Sequence, residues 1–124
     1  MLNTNDAVAT IAVKNIDVAR NFYEGVLGLT PQPASEQGVM SFRTGSTTVL
    51  VYTSQFAGTN RATAATWNVE DLDRVIEFLK SKGVAFEHYD MPGVTRKGDV
   101  HVTGSSRAAW FKDPDGNVLA LVGR

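Results

Sequence analysis

The sequence of 124 residues contains no cysteine, which excludes disulfide bonds, thiolate metal sites and a cysteine nucleophile. It also has little net charge, because twelve basic and thirteen acidic side chains leave -1 at pH 7. Nothing therefore indicates electrostatic binding of nucleic acid or of an anionic membrane. No apolar run is long enough to span a bilayer, and the opening MLNTND lacks the features of a signal peptide. We expect a cytoplasmic protein that contacts neither nucleic acid nor membrane.

The rest of the composition is that of an ordinary soluble protein. Hydrophobic residues make up 43% of the chain and charged residues 20%, both typical of globular domains. A chain of this length can bury enough apolar surface to fold alone, with little to spare. We therefore expect a single domain over residues 1–124.

The chain contains an internal repeat around two segments that match at an offset of 56 residues. VKNIDVARNFY begins at Val13, and VEDLDRVIEFL begins at Val69. Each segment is an apolar run, a polar corner and then apolar side chains at the spacing of one helix face. The residues expected to bound these helices are Asn15 or Asp17 and Asp71 at the start, and Gly28 and Gly83 at the end.

A second pair of segments matches at an offset of 69 residues. FRTGSTTVLV at 42–51 lies on FKDPDGNVLA at 111–120. Both predict a strand, a turn and a strand, and the second turn is the clearer because Pro, Asp, Gly and Asn all suit turn geometry. The sequence thus predicts two copies of a strand–helix–strands module, about 1–56 and 57–124, with the polar segment 54–63 between them.

Two longer segments carry a family resemblance. NIDVARNFYEGVLGL at 15–29 and AAWFKDPDGNVLALV at 108–122 resemble the vicinal oxygen chelate superfamily. That group includes glyoxalase I, extradiol dioxygenases, and fosfomycin- and bleomycin-resistance proteins. The resemblance implies an α+β fold of two βαβββ modules whose sheets curl into a cup, with the helices packed outside. It also implies a homodimer, because the family usually completes its cup by pairing modules within or between chains.

Catalytic members of this superfamily hold a divalent metal with His, Gln or Glu side chains from four strands. The resemblance places these positions at Val8, Val51, Ala64 and Ala120. None of these side chains offers a lone pair to a cation, and moving one residue along the strands does not rescue the site. We therefore expect no metal and no cofactor.

The alternation of side chains along strands then predicts which residues face the cup. The surface is mostly apolar, with a few polar groups and one indole wall, which is typical of small-molecule pockets. The alternative is that these residues simply form a filled core and that Trp110 occupies the space of a metal site. The predicted ligand-binding residues are Thr10, Ser41, Val51, Ala64, Thr66, Asn68, Trp110, Ala120 and Val122.

Two histidines are the remaining candidates for chemistry. His88 lies in the strand-like run VAFEHYD, and His101 lies in the Gly/Ser-rich segment KGDVHVTGSS. His101 is the better candidate for a general base, because a long loop at 90–107 is expected to overhang the mouth of the cup. A surface or hydrogen-bonded histidine is the alternative for both.

Two functions follow from these observations. The first is a metal-free binding protein that captures a small apolar or aromatic molecule, such as an antibiotic, as bleomycin-resistance-like proteins do. The second is a glyoxalase- or dioxygenase-like enzyme, a lyase, isomerase or oxygenase, that uses a histidine base or a metal site at non-standard positions. The metal content of the purified protein helps to distinguish the two functions, because a stoichiometric metal would favour the enzyme.

Overall fold

Two curled β-sheets form the framework of the protein over residues 1–33 and 36–124, which are the residues that the computed structural model describes. The first sheet has the order β1-β4-β3-β2, and the second runs β5-β10-β9-β8-β7 with β6 also paired to β9. The strands of the first sheet are β1 Ala9–Val13, β2 Thr30–Pro31, β3 Val39–Thr44 and β4 Thr47–Thr53. Those of the second are β5 Thr63–Val69, β6 Phe86–Glu87, β7 Thr95–Lys97, β8 Val100–Thr103, β9 Ser106–Lys112 and β10 Val118–Gly123.

One long helix follows the first strand of each sheet. Helix α1 spans Ile16–Arg20 and continues as a π-helical segment, Asn21–Val26, while α2 spans Leu72–Ser81. The Asn15 side chain accepts hydrogen bonds from the first turn of α1, and the Asp71 side chain accepts one from the first turn of α2. Both N-caps satisfy backbone N–H groups that have no partner inside the helix, so these predicted starts are confirmed.

The predicted module architecture is confirmed: β1-α1-β2-β3-β4 corresponds to β5-α2-β6-β9-β10. Strands β7 and β8 are additional, and they form a hairpin between β6 and β9. The two sequence offsets differ by thirteen residues, which is the length that this insertion adds to the second module. The prediction of a long loop at 90–107 is therefore wrong, since β7, β8 and the start of β9 occupy much of it.

A hydrophobic cluster lies between the helices and one face of each sheet. It contains side chains from both modules, such as Ile11 and Phe42 of the first and Phe111 and Leu119 of the second. The phenyl ring of Phe22 also contacts that of Phe111 across the modules, with ring centroids 6.5 Å apart. The shared cluster fixes each helix on its sheet. Within the described residues, the opposite face of each sheet is not covered by a helix and can therefore carry a functional site.

The turn DPDGN at 113–117 joins the last hairpin to the first module. The Asn117 side chain donates to the carbonyl of Ala12 at 2.8 Å, and the backbone N–H of Lys14 donates to Asp115 at 3.1 Å. Within the turn, the backbone N–H groups of Asp115 and Asn117 both donate to the buried carboxylate of Asp113. The turn is therefore a polar link between β1 and β10, a structural role rather than a chemical one.

Candidate functional site

The face of the first sheet that points away from the helices carries a cleft. In the strand register Thr10 lies beside Leu50, which lies beside Ser41, and the next row places Ala12, Tyr52 and Val39 together. Six side chains thus form what we call the first open face: Thr10, Ala12, Val39, Ser41, Leu50 and Tyr52. A cleft of about 410 Å³ lies on it, lined by Thr10, Val39, Ser41, Leu50 and Tyr52 together with Pro33 and Glu36.

The lining of this cleft combines apolar side chains with a few polar groups. Its walls are Val39, Leu50 and the ring of Tyr52, while the Thr10 and Ser41 hydroxyls supply hydrogen-bonding groups. A carboxylate, Glu36, lies at the rim and is exposed. Apolar walls with a few polar groups favour a small molecule with an aromatic or aliphatic body and one or two hydrogen-bonding groups.

The prediction that Val51 faces this cleft is wrong. Val51 pairs with Ile11 in the register, is fully buried and belongs to the hydrophobic cluster under the helices. The cause is the length of a turn. Ser41 pairs with Leu50, whereas its counterpart Trp110 pairs with Ala120, which is one residue further along the chain. The offset of 69 residues, which relates Ser41 to Trp110, therefore relates Ala120 to the wrong residue by one position, because its true counterpart is Leu50 and not Val51. A shift of one residue moves a side chain to the other face of a strand.

The second sheet has a corresponding surface, the second open face, in which Ala120 lies between Trp110 and Thr66. The next row places Val122 beside Ala108 and Asn68. The predicted pairing of Trp110 with Ala120 across the hairpin is confirmed. Ala120 is only 3% exposed although it lies outside the hydrophobic cluster. This face is therefore more closed than the first.

Three aromatic side chains pack together on the second open face. The ring of His101 meets the indole of Trp110 edge to face, with centroids 4.9 Å apart, and Tyr89 lies 5.6 Å from the same indole. The indole N–H of Trp110 donates to the hydroxyl of Thr63 at 3.1 Å. Trp110 thus has packing partners and a hydrogen bond on this face. This agrees better with a side chain that fills space than with one that lines an open pocket.

His101 lies in β8 and not in the predicted loop. Its side chain is 3% exposed, and Nε2 accepts a hydrogen bond from the backbone N–H of Tyr89 at 2.9 Å. A neutral imidazole whose Nε2 accepts carries its proton on Nδ1. Nδ1 is buried and has no hydrogen-bond partner among the described residues. The predicted position of a general base overhanging the cup is therefore wrong, because Nε2 is engaged and the ring is enclosed.

His88 belongs to a surface ion-pair network. Its Nε2 lies 2.8 Å from one carboxylate oxygen of Asp99, and Lys80 lies 2.9 Å from the other. These hydrogen bonds, from His88 first and then from Lys80, hold the pKa of Asp99 below its ordinary value. His88 is itself exposed and is not among the described residues that line the cleft of the first open face.

The remaining predicted residues lie at the junction of the modules. Thr66 and Asn68 line a groove of about 540 Å³ between β5 and the β3–β4 hairpin. Ala64 is exposed beside an irregularity in the pairing of β5 with β10, where the register shifts between Val118 and Leu119. Of the nine predicted residues, Thr10 and Ser41 thus lie on the first open face, Val51 lies in the core, and the second open face carries Thr66, Asn68, Trp110, Ala120 and Val122.

The positions that hold a metal in catalytic relatives do not fit one here. Correcting the slip replaces Val51 by Leu50, so the set becomes Val8, Leu50, Ala64 and Ala120, and none has a donor atom for a hard or borderline cation. Over residues 1–33 and 36–124, no three His, Cys, Asp or Glu side chains lie together as a metal site would require.

Sequence reasoning missed Leu50, Tyr52 and Val39 as residues of the open face. The signal that finds them is the hairpin itself: counting back from the two-residue turn at 45–46 pairs Leu50 with Ser41. Tyr89 was also missed. Burial, with the nearby charge of Glu87, raises the pKa of the Tyr89 phenol. Its hydroxyl can donate a hydrogen bond, as any neutral phenol can.

The comparisons with known proteins agree with this architecture. The model of the Glyoxalase/Bleomycin resistance protein/Dioxygenase superfamily matches residues 6–121, and the chain belongs to this family. A search of curated proteins finds no match. None of the helices in the described part of the chain is long and apolar enough to cross a membrane.

Solved structures share the fold at low identity. The glyoxalase family protein of Enterococcus faecalis is 21% identical, with a TM-score of 0.74 over 98% of this chain and 99% of that one. The genomically encoded fosfomycin resistance protein of Listeria monocytogenes is 14% identical, with a TM-score of 0.73 over 98% and 93%. Lactoylglutathione lyase of Agrobacterium tumefaciens is 16% identical, with a TM-score of 0.70 over 97% and 93%. At these identities the likeness concerns the fold, and function must be argued from the site.

Proposed function

We propose that this protein binds a small, largely apolar or aromatic molecule, of which an antibiotic is one example, without the help of a metal. The observation that carries the proposal is the cleft on the first open face, with apolar walls from Leu50 and Tyr52 and hydroxyl groups from Thr10 and Ser41. Binding needs only a concave apolar surface and a few oriented polar groups. The side chains at the metal positions of catalytic relatives support the same proposal, because they are all apolar.

The first open face is a better location for the ligand than the second. The second face is occupied by the packed rings of Tyr89, His101 and Trp110, whereas Tyr52 on the first is 38% exposed. An exposed ring on a sheet face offers a surface on which a planar ligand can stack. Thr10, Ser41, Leu50 and Tyr52 are thus the proposed ligand-binding residues. Trp110, Ala120 and Val122 are proposed as a second, less accessible region.

We further propose that the protein acts as a homodimer. Tyr52, a large side chain on the face that carries the cleft, is 38% exposed, and Val8, which immediately precedes β1, is 47% exposed. A second copy that covers part of this face would reduce that exposure and enclose a bound ligand, and two-fold dimers are the commonest assemblies. Light scattering at micromolar concentration tests this proposal, and a monomeric mass contradicts it.

The binding proposal is tested by a thermal-shift screen of aromatic compounds and antibiotics, followed by titration of each hit against two variants. Tyr52→Ala removes the ring of the first open face, and Trp110→Ala removes that of the second. We expect Tyr52→Ala to abolish most of the stabilisation and Trp110→Ala to retain it. The reverse pattern locates the ligand on the second face and contradicts this assignment.

The metal-free part of the proposal has its own measurement. Elemental analysis is made on protein purified without a chelator and without a histidine tag. We expect less than one Mn, Fe, Ni or Zn ion per chain. A stoichiometric ion favours the alternative function, an enzyme of the lyase, isomerase or oxygenase kind with ligands at non-standard positions.

A further inference from the structure

A cavity of about 200 Å³ lies on the side of the sheets against which the helices pack. Its walls come from both modules: Leu27 and Leu29 follow the π-helical segment, Phe78 belongs to α2, and Trp67 and Leu121 belong to adjacent strands of the second sheet. The cavity is therefore at the junction of the modules, on the helix-packed face and not on the cleft face.

The lining is almost wholly apolar. Every lining residue that the structure describes is aliphatic or aromatic except Thr44, and none carries a charge. The indole N–H of Trp67 donates to the Thr44 hydroxyl at 3.0 Å, which joins the two modules and leaves the hydroxyl hydrogen of Thr44 available as a donor. An enclosed apolar cavity of about 150 Å³ accommodates benzene, so the volume and lining of this one suit a single aromatic ring.

The mouth of the cavity is marked by Phe78. This side chain is 55% exposed although it lies on the same helix as the buried Ile76 and Leu79. Leaving a phenyl ring in water forgoes the free energy of burying it. A molecule in the cavity would cover the inner face of that ring and fill space that water does not favour.

We infer that this cavity is a binding site for a small uncharged aromatic molecule of one or two rings that carries a single hydrogen-bond acceptor. The volume sets the size of the ligand, the uncharged side chains of the described lining favour an uncharged ligand, and the Thr44 hydroxyl supplies one donor. The site is separate from the first open face and does not depend on the function proposed for it.

The two tryptophans of the chain provide the test, because each gives its own indole N–H signal in a ¹H–¹⁵N spectrum. Trp67 lines the cavity, and Trp110 lies on the second open face. The wild-type protein is titrated with acetophenone, which has one ring and one carbonyl acceptor. We expect the Trp67 signal to shift and to saturate while the Trp110 signal stays in place. A Trp67 signal that does not move up to the solubility limit, or equal movement of both signals, overturns the inference.

Two variants locate the binding further. Val75→Phe adds bulk to a residue that lines the cavity, and Phe78→Ala removes the exposed ring at its mouth without disturbing the buried face of α2. We expect loss of the saturable shift in the first and a weaker affinity in the second. If Val75→Phe does not fold, Phe78→Ala alone decides, and an unchanged affinity there overturns the inference. A Trp67 signal that moves on dilution without acetophenone also overturns it, because a second copy then covers the cavity.

Discussion

The hydroxyl of Tyr23 donates a hydrogen bond of 2.7 Å to the carboxylate of Asp113, across 90 residues of sequence. Tyr23 belongs to the π-helical segment of the first module, and Asp113 begins the last turn of the second. Both side chains are buried, with Tyr23 at 0% and Asp113 at 5% exposure. Burial first, and then the charge of Asp113, raise the pKa of the Tyr23 phenol well above its ordinary range. Tyr23 therefore stays a donor throughout the stable range of pH.

Replacing Tyr23 by Phe removes this donor while keeping the ring. Asp113 then keeps its bonds from Asn117 but loses one of its buried partners. Hydrogen bonds to charged groups contribute about 1.5–3 kcal/mol, so we expect a loss of stability of that size. Urea denaturation measures it. Tyr52→Phe is the matched control, because no described residue hydrogen-bonds the exposed Tyr52 hydroxyl. Equal midpoints for the two variants would contradict the prediction.

Gly58 packs against the same turn from the linker between the modules. A Cβ atom at this position would overlap with the carbonyl oxygen of Asp115, and the backbone φ of +70° is itself unfavourable for other residues. Gly58→Ala is therefore expected to destabilise the protein by clearly more than the roughly 1–2 kcal/mol of a left-handed alanine alone. Gly104→Ala is the control, since Gly104 has a φ of +59° and no atom within 4 Å of the added methyl. Thermal unfolding of both variants gives the comparison, and a smaller loss at Gly58 would refute it.

Asp99 predicts a dependence of stability on pH. Its pKa is lowered by hydrogen bonds from His88 and Lys80, so the folded state favours the carboxylate. The stabilisation that the Asp99 carboxylate contributes is therefore fully present at pH values above its ordinary pKa of 3.8. It disappears as the pH falls through the lowered pKa of the folded state. We expect Asp99→Asn to lose at most about 1 kcal/mol at pH 7, because the network is at the surface, and to match the wild type in strong acid.

The measurement is urea denaturation of both proteins at pH 7 and in the acid range. Glu77→Gln is the control, because Glu77 is exposed and forms no ion pair within the described residues. It should follow the wild type at each pH. A difference between Asp99→Asn and the wild type that stays constant on acidification would be inconsistent with the lowered pKa.

Alanine substitutions of Phe111 and Trp110, which are adjacent in β9, are expected to reduce stability by different amounts. Phe111 is 1% exposed and contacts Phe22 and Phe86 in the core, so Phe111→Ala should cost about 3–5 kcal/mol. Trp110 is only half-buried on the opposite face, and Trp110→Ala should cost less, although it loses its contacts with His101 and its bond to Thr63. A pair of denaturation curves decides. If Trp110→Ala is the more destabilising change, the two faces of β9 are assigned backwards.

Local sequence signals predicted much of this fold. Asn15 and Asp71 cap the two helices as expected, and Phe111 and Trp110 lie on opposite faces of β9. These features depend on neighbouring residues, which a single sequence displays directly. The position of Val51 could not be obtained in this way, because it depends on counting through a turn whose length differs between the two modules.

The β7–β8 hairpin shows why the candidate site was harder to predict. The Gly/Ser-rich segment KGDVHVTGSS suggested a loop, but its Gly98 and Gly104 each have a positive φ at a turn, and together they bound the short strand that carries His101. Val100 on that strand is buried in the hydrophobic cluster, and His101 packs on the opposite face beside Trp110. Glycines at turns and glycines in loops look alike in a sequence, and tertiary pairing distinguishes them.

The contacts of the DPDGN turn also constrain the order in which the chain folds. Tyr23 is synthesised early, with the first module, but the acceptor of its hydroxyl is added only after most of the second module. The same holds for the carbonyl of Ala12 and its partner Asn117, which are 105 residues apart. A ribosome-bound fragment that ends before Asp113 would bury a phenol with no acceptor, which is costly. The two halves are therefore expected to fold together, after the last hairpin has left the ribosome exit tunnel, rather than one after the other.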